Sequence, residues 1–366
     1  MTFPSAGPIQ EGVRKIAVLR ANFLGDFIFC LPALEALRSA YPHAEIVFLG
    51  KPWHQALLVD RPGPVDRVIV VPPSGGVRLE PEGFASPEEL ESFFERMREE
   101  RFDLALQLHG GGRYSNPFVL NLGARLTAGL RAPDAAPLDL WVPYIYYQSE
   151  VLRFLEVASL VGARTPHLEP RLHILPRDLA EADQVAPEQD RPLAVLHPGA
   201  NDTRRRWPVE HFAAVGDRLA EAGAHVIVTG TEPEGPLVSA VVSGMRHPAQ
   251  EACAVLSVGG LAGLLSRSSV LVSNDSGPLH LAAAVGAATV GIYWCGNLIN
   301  AGPLTRTRHR PAISWRLNCP TCCVDCTQGS CEHRSSFVAD VPVDEVAASA
   351  LDLMAASRER EALSGT

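Results

Sequence analysis

"RKIAVLRANFLGDFIFCLPALEAL", residues 14–37, decides how this chain is read. Its first part, "RKIAVLR", is a short branched apolar run of the kind that forms a fully buried parallel strand. After Asp26 the apolar residues Ile28, Leu31, Leu34, Ala36 and Leu37 recur at helical spacing. The stretch is therefore strand, tight loop, helix. In open α/β sheets, ligands bind outside the carboxyl ends of the strands. Asp26 stands at that place, either as a helix N-cap or as a chemical group.

Working outward, 366 residues fit two domains better than one core, and 46% hydrophobic with 20% charged residues is a globular composition. The formal net charge of −9 argues against a nucleic-acid partner, which calls for a basic face. The start, "MTFPSAGPIQEGVRK", lacks the apolar core of a signal peptide, so a cytoplasmic location is expected. No run has the length of a membrane span; "LHLAAAVGAATVGIYWCG" (279–296) is broken by glycines and reads as a helix followed by a buried strand.

Strand-like runs alternate with helix-like runs. "EIVFLG" (45–50), "RVIVV" (67–71) and "DLALQL" (103–108) are strands, and Ser86-Pro87 opens an amphipathic helix. Such alternation implies parallel sheets covered by helices on both faces. "PRDLAEADQVAPEQDRP" (176–192), rich in proline and charge, suits a linker. The pattern then restarts with "LAVLHPGA", a helix from Pro208 to Gly223, "HVIVTG" and "SVLVSN". The expected organisation is a first doubly wound domain over 1–175, a linker over 176–192, a second such domain over 193–342 and a terminal helix over 343–366.

Three turns carry chemical potential. In "SNDSGPLHLAAA" (273–284), Asn274, Asp275, Ser276 and Gly277 precede a helix begun by Pro278, with His280 one turn in. This is an ordinary capped helix or a place where helix N–H groups and small residues admit a phosphate. "HPGANDTRRRWP" (197–208) puts three arginines after a Pro-Gly turn. Arginine forks match phosphate oxygens, yet arginine runs are commonly solvated; Arg204 is read as the solvated one. In "VTGTEPE" (228–234), Glu232 stands where a carboxylate accepts ribose hydroxyls, but Glu232 and Glu234 serve equally as first-turn acids. Neither domain has G-x-G-x-x-G after its first strand, and neither a P-loop nor G-x-S-x-G is present.

Together, "AVLRANFLGDFIFCLPALEAL", "LHPGANDTRRRWPVEHFAAVGDRLAEAG" and "SNDSGPLHLAAAVGAATVGIY" resemble the family 9 glycosyltransferases, the bacterial heptosyltransferases that use ADP-heptose. The resemblance implies a GT-B architecture of two Rossmann-like domains facing a central cleft. It further implies metal-independent, inverting transfer that needs no cofactor. The family's Leu-Gly-Asp aspartate, its general base, falls on Asp26. The diphosphate turn falls on Asp275, Ser276 and Gly277 with His280. Arg205 takes the place of a basic residue that is commonly lysine, and a ribose carboxylate maps to Glu232. Asn22 and Gly25 of the first loop, and Gly199, Asn201 and Thr203 of the middle motif, join this donor-binding set. Implied partners are a nucleotide-sugar donor, ADP-heptose first, and a glycan or glycolipid acceptor such as the lipopolysaccharide inner core, reached by peripheral contact with the inner membrane. Another GT-B-like nucleotide-sugar enzyme, such as an epimerase, and a non-catalytic nucleotide-sugar-binding protein are the alternatives.

Two segments depart from the family's pattern: "PPSGGVRLEPEGFASPEE" (72–89) and "CPTCCVDCTQGSC" (319–331). In the latter, Cys319, Cys322, Cys323, Cys326 and Cys331 include C-x-x-C pairs at zinc-ligand spacing. A structural zinc, reduced thiols and a redox-formed bond all remain open, and adjacent Cys322 and Cys323 fit poorly in a simple tetrahedral site.

Overall fold

A computed structural model of the chain describes residues 7–80, 83–187 and 190–364. Residues 1–6 of the N-terminal stretch, 81–82 of the 72–89 segment, 188–189 of the expected linker and 365–366 of the terminal helix lie outside it. The chain divides into two compact units, Met1–His173 and Ile174–Thr366.

The first unit holds β1 (Lys15–Leu19), β2 (Glu45–Gly50), β3 (Arg67–Val70), β4 (Leu104–Gln107), β5 (Leu126–Arg131) and β6 (Leu140–Pro143), in the order β3-β2-β1-β4-β5-β6. The second holds β7 (Leu193–His197), β8 (His225–Gly230), β9 (Gln250–Cys253), β10 (Val270–Asn274), β11 (Thr289–Trp294) and β12 (His309–Ser314), in the order β12-β11-β10-β7-β8-β9. Every pairing is parallel. Counted within its own unit, each sheet runs 3-2-1-4-5-6, the Rossmann order. That order has one switch point, between β1 and β4 in the first unit and between β7 and β10 in the second. Parallel strands covered on both faces must be apolar throughout, and Ile16, Val18, Leu19, Val195, Leu196, Val270 and Leu271 are all fully buried.

The strand-loop-helix reading of 14–37 holds: β1 leads into the helix Leu24–Ala40, which buries Ile28, Leu31, Leu34 and Leu37. The Ser86 start is a reciprocal cap, Ser86 Oγ accepting from Glu89 N at 3.2 Å and Glu89 returning a carboxylate to Ser86 N at 2.7 Å.

The 176–192 segment is more ordered than a linker. Pro176–Val185 is a helix of the second unit, started by Pro176 and by Asp178, whose carboxylate accepts from Leu175 N at 2.9 Å. It lies against the helix Val258–Ser266. A Cβ on Gly263 would stand 2.3 Å from the Asp178 carbonyl, so this close crossing needs glycine. Proline and charge there mark a helix start and a solvated face. The terminal helix, Val343–Ser364, belongs to the same core, burying Val346, Ala350, Leu353 and Met354 with Trp207 and Phe212.

Candidate active site

In the first unit, the switch point is occupied by a linked set of charges. Asp26 lies in the first turn of the Leu24–Ala40 helix, and its Oδ2 accepts from Phe23 N at 3.1 Å. Thus one oxygen satisfies a helix-start amide, the bland role available to it. The other, Oδ1, meets Arg20 Nη2 at 2.7 Å, and the Asp26 side chain remains 28% exposed, open to a reacting group. Arg20, immediately after β1, is buried; it also donates from Nη1 to the Leu108 carbonyl at 2.6 Å, and its Nη2 lies 3.2 Å from Glu150 Oε2. Glu150 in turn pairs with Arg153, a fully buried arginine. His109, just after β4, accepts from Ala21 N at 3.2 Å through Nδ1. Burial, then the Arg20 charge, pushes His109 down to about 3, so it is neutral at physiological pH. Arg20, His109 and Glu150 went unnoticed in the sequence. A charged residue just after a buried strand at the switch point was the signal for Arg20; Glu150 is distant in the chain and had none.

In the second unit, the loops after β7 and β10 are joined at the corresponding place. Asn274 accepts from Trp207 N at 2.9 Å and donates to the Pro198 carbonyl at 2.8 Å, holding the two motifs together. Trp207, itself buried, donates from Nε1 to the Val341 carbonyl at 3.0 Å. Arg205, in the short helical turn Thr203–Arg205, therefore reaches Asp275: Nη1 lies 3.1 Å from Oδ2. Asp275 Oδ1 meets His280 Nε2 at 3.1 Å, and Asn297 Nδ2 donates to Oδ2 at 2.9 Å. Burial pushes the Asp275 carboxyl up, but the hydrogen bond and charge of His280, with the charge of Arg205, outweigh it and hold the group below its ordinary range. Asp275 is buried beneath its partners, with its carboxylate turned to Arg205, His280 and Asn297. Ser276 is the N-cap of the helix Gly277–Ala284, which carries His280. A guanidinium beside a helix N-terminus offers positive potential to an anion.

The two acids of the turn after β8 differ in burial. Glu232 is exposed, whereas Glu234 is buried and its Oε2 accepts from Thr231 N at 2.9 Å and Thr231 Oγ1 at 2.8 Å. Glu234 also lies against the β7 loop, because a Cβ on Gly199 would stand 2.0 Å from its Oε1. A side chain at 199 would thus displace a carboxylate of the turn after the neighbouring strand. Asn201 and Thr203 are exposed. Arg204 is not simply solvated: its Nε donates to both Asp202 oxygens at 3.0 Å, and its guanidinium pairs with that carboxylate. In the first unit, Asn22 and Gly25 lie beside Asp26 in sequence, the former half-buried and the latter buried.

The cysteine segment follows β12. Cys319, Cys322, Cys331 and His333 bring their ligand atoms within 4.8 Å of one another, a grouping able to hold a metal. Cys323 and Cys326 stand outside it, and His333 was not among the candidates read from sequence, although C-x2-C-x8-C-x-H carries the signal.

Two Rossmann-ordered units, one with a carboxylate at its switch point and one with an anion-attracting turn at its own, define a two-domain α/β protein of Rossmann type. The model of glycosyltransferase family 9 (heptosyltransferase) matches residues 90–325, and the chain belongs to that family. It is a glycosyltransferase. The lipooligosaccharide heptosyltransferase 2 of Haemophilus ducreyi is 23% identical over 290 residues, covering 74% of this chain and 80% of that protein. Among solved structures, a family 9 glycosyl transferase from Veillonella parvula superposes with a TM-score of 0.76 at 20% identity, covering 93% of this chain and 97% of that one. ADP-heptose lps heptosyltransferase II of E. coli gives 0.74 at 19%, covering 94% and 99%. The fold is accordingly the GT-B type of α/β architecture.

Proposed function

We propose that this protein transfers a heptose from ADP-heptose to a hydroxyl of a glycolipid acceptor of the lipopolysaccharide inner-core kind, inverting the anomeric centre. The observation that carries the reading is the charged set of Arg205, Asp275 and His280 at the second unit's switch point. It lies on a chain whose family relatives are heptosyltransferases.

In this reading the second unit holds the donor. Arg205 presents Nη1 to Asp275, and the rest of its fork faces the diphosphate together with the amide end of the helix Gly277–Ala284. Asp275 holds Arg205 and His280 from beneath and makes no direct contact with the anionic donor. Glu234, buried beside Gly199, orders the β7 loop next to the nucleoside, while exposed Glu232 is free to meet the ribose. The first unit serves the acceptor. Asp26 takes the proton of the acceptor hydroxyl as that oxygen attacks the anomeric carbon, and the ADP leaving group departs against Arg205 and the helix end. Arg20 and Glu150 fix the direction of the Asp26 carboxylate. Charge on the leaving diphosphate is met by these groups, so the mechanism uses no metal ion.

Among the described residues no helix is long and apolar enough to cross a membrane. The reading places the enzyme at the cytoplasmic face of the inner membrane, touching it peripherally to reach its lipid-linked acceptor.

The test is a thermal-shift series over sugar nucleotides followed by turnover, since a ligand of the native state raises its melting temperature. ADP-heptose should give the largest shift and be consumed only with acceptor present. Consumption without acceptor identifies an epimerase-type enzyme instead, and binding without turnover a non-catalytic protein.

A further inference from the structure

We propose that Cys319, Cys322, Cys331 and His333 bind one zinc ion, which fastens the segment after β12 to the turn that carries Arg205.

Between β12 and the helix Val343–Ser364, Cys319, Phe337, Val338 and Val341 are buried, but the stretch between Cys319 and Phe337 has no such anchor. Every residue from 320 through 336 is exposed or half-buried, so the stretch has no apolar core of its own. A long loop without a core calls for a staple. Four soft or borderline donors supply one. Tetrahedral Zn–S bonds of about 2.3 Å put sulfurs about 3.8 Å apart, so ligand atoms within 4.8 Å need only small side-chain closure. Three thiolates and an imidazole are a structural-zinc donor set.

The backbone around the cysteines is already shaped for a metal. Thr321 N donates to Cys319 Sγ at 3.4 Å. Cys323 has φ 59°, the left-handed region that non-glycine residues rarely adopt, and Cys323 N closes the turn on the Cys319 carbonyl at 3.0 Å. That turn separates the adjacent cysteines: Cys322 joins the cluster and Cys323 is left exposed outside it. Zinc binding displaces the three thiol protons.

Both ends of the segment are tied to the donor side of the unit. Trp294 Nε1 donates to the Arg316 carbonyl at 2.6 Å. Phe337 N donates to the Arg204 carbonyl, and Ser336 Oγ to the Arg206 carbonyl, each at 2.7 Å. Residues 334–337 thus strap the turn 203–206, and the zinc joins the start of the segment, at Cys319 and Cys322, to its end, at Cys331 and His333. The effect on donor binding rests on the reading of Arg205 as a diphosphate contact; the metal site does not.

Elemental analysis of full-length protein, purified under reducing conditions without added metal, should find one zinc per chain. Cys322→Ser should lose it, while Cys323→Ser and Cys326→Ser should keep it. Chelating the wild type should speed amide exchange across 333–338 and 203–206 tenfold or more and weaken ADP binding about tenfold, with zinc restoring both. Absence of zinc together with failure to take up added zinc, iron in its place, a disulfide among these cysteines, or retention of zinc by Cys322→Ser overturns the site. Unchanged exchange at 203–206 after chelation overturns the fastening. If Arg205→Ala itself leaves ADP binding unchanged, the functional reading fails while zinc content and exchange still judge the metal site.

Discussion

Arg205 Nη1 and Asp275 Oδ2 stand 3.1 Å apart, joining the middle motif to the turn after β10 across 70 residues of chain. On the proposed reading, Arg205→Ala removes a charge-assisted contact to the diphosphate. Such contacts contribute about 1.5–3 kcal/mol, so ADP affinity should fall on the order of tenfold to a hundredfold. Arg205→Lys should recover much of this without the fork geometry. Arg204→Ala deletes the fork to Asp202 but leaves the main-chain carbonyl that receives Phe337, so ADP affinity should change little. Calorimetric titration of ADP against the three variants checks this; equal affinities for wild type and Arg205→Ala would remove Arg205 from the donor site.

Asp275→Asn leaves Arg205 and His280 without their shared anion. Because Asp275 is buried while Arg205 is partly exposed, the expected loss of stability is on the order of 1–3 kcal/mol. The wild-type carboxyl titrates below its ordinary range, so its contribution is present above the unfolded value near 4 and is lost as pH falls through the lower folded value. The variant lacks that acid-sensitive part. Urea unfolding of both proteins at neutral and acid pH reads the difference, and identical curves would contradict the arrangement.

His54 and His109 supply a second pH dependence, of separate origin. Burial pushes both down to about 3, with the Arg20 charge adding to the effect at His109. Between pH 6.5 and 3 the unfolded chain binds protons that the folded chain refuses, so stability rises with pH across this window. From pH 7 to pH 5 each histidine should cost on the order of 2 kcal/mol. His54→Gln or His109→Gln should flatten the fall by about that amount in denaturant titrations. An unchanged slope would mean that the histidine titrates normally.

Gly199→Ala places a methyl where the Glu234 carboxylate lies, 2.0 Å away. The β7 loop or the Glu234 side chain must move, with a cost on the order of 1–3 kcal/mol typical of overpacking. Gly199→Ala combined with Glu234→Ala should recover most of the stability lost by the first change alone. Additive losses in thermal unfolding would show that the two residues do not oppose each other.

Much of this architecture was legible from local chemistry. Buried parallel strands announce themselves as branched apolar runs, which is why β1, β2, β7, β8 and β10 and the turns at their ends were readable. β6, β9 and β12 are edge strands, and "QEAC" and "HRPAIS" lack that pattern; β5, "LTAGLR", is interior but interrupted by glycine. Asp26, Arg205, Asp275 and His280 could be singled out because they sit in turns next to such strands. Their partners were harder. Glu150 reaches Arg20 across 130 residues, and Asn297 reaches Asp275 across 22, contacts that only tertiary packing creates. The choice of Glu234 over Glu232 as the buried acid depends on which side of a short helical turn faces Gly199, a rotation that spacing alone does not fix.

Asp26 is proposed as the base in acceptor-dependent heptosyl transfer, and Asp26→Asn isolates that role. Asparagine keeps the shape, and Arg20 retains Glu150 as a partner, so the fold and ADP affinity should persist. The measurement is ADP release from ADP-heptose by purified wild type and variant, with and without a lipopolysaccharide inner-core acceptor lacking the heptose. Release by the wild type should depend on acceptor, and the variant's rate should be lower by roughly a hundredfold or more, the scale of lost general-base catalysis. Near-normal turnover by a folded, ADP-binding Asp26→Asn protein would contradict it and leave Asp26 a helix-start residue.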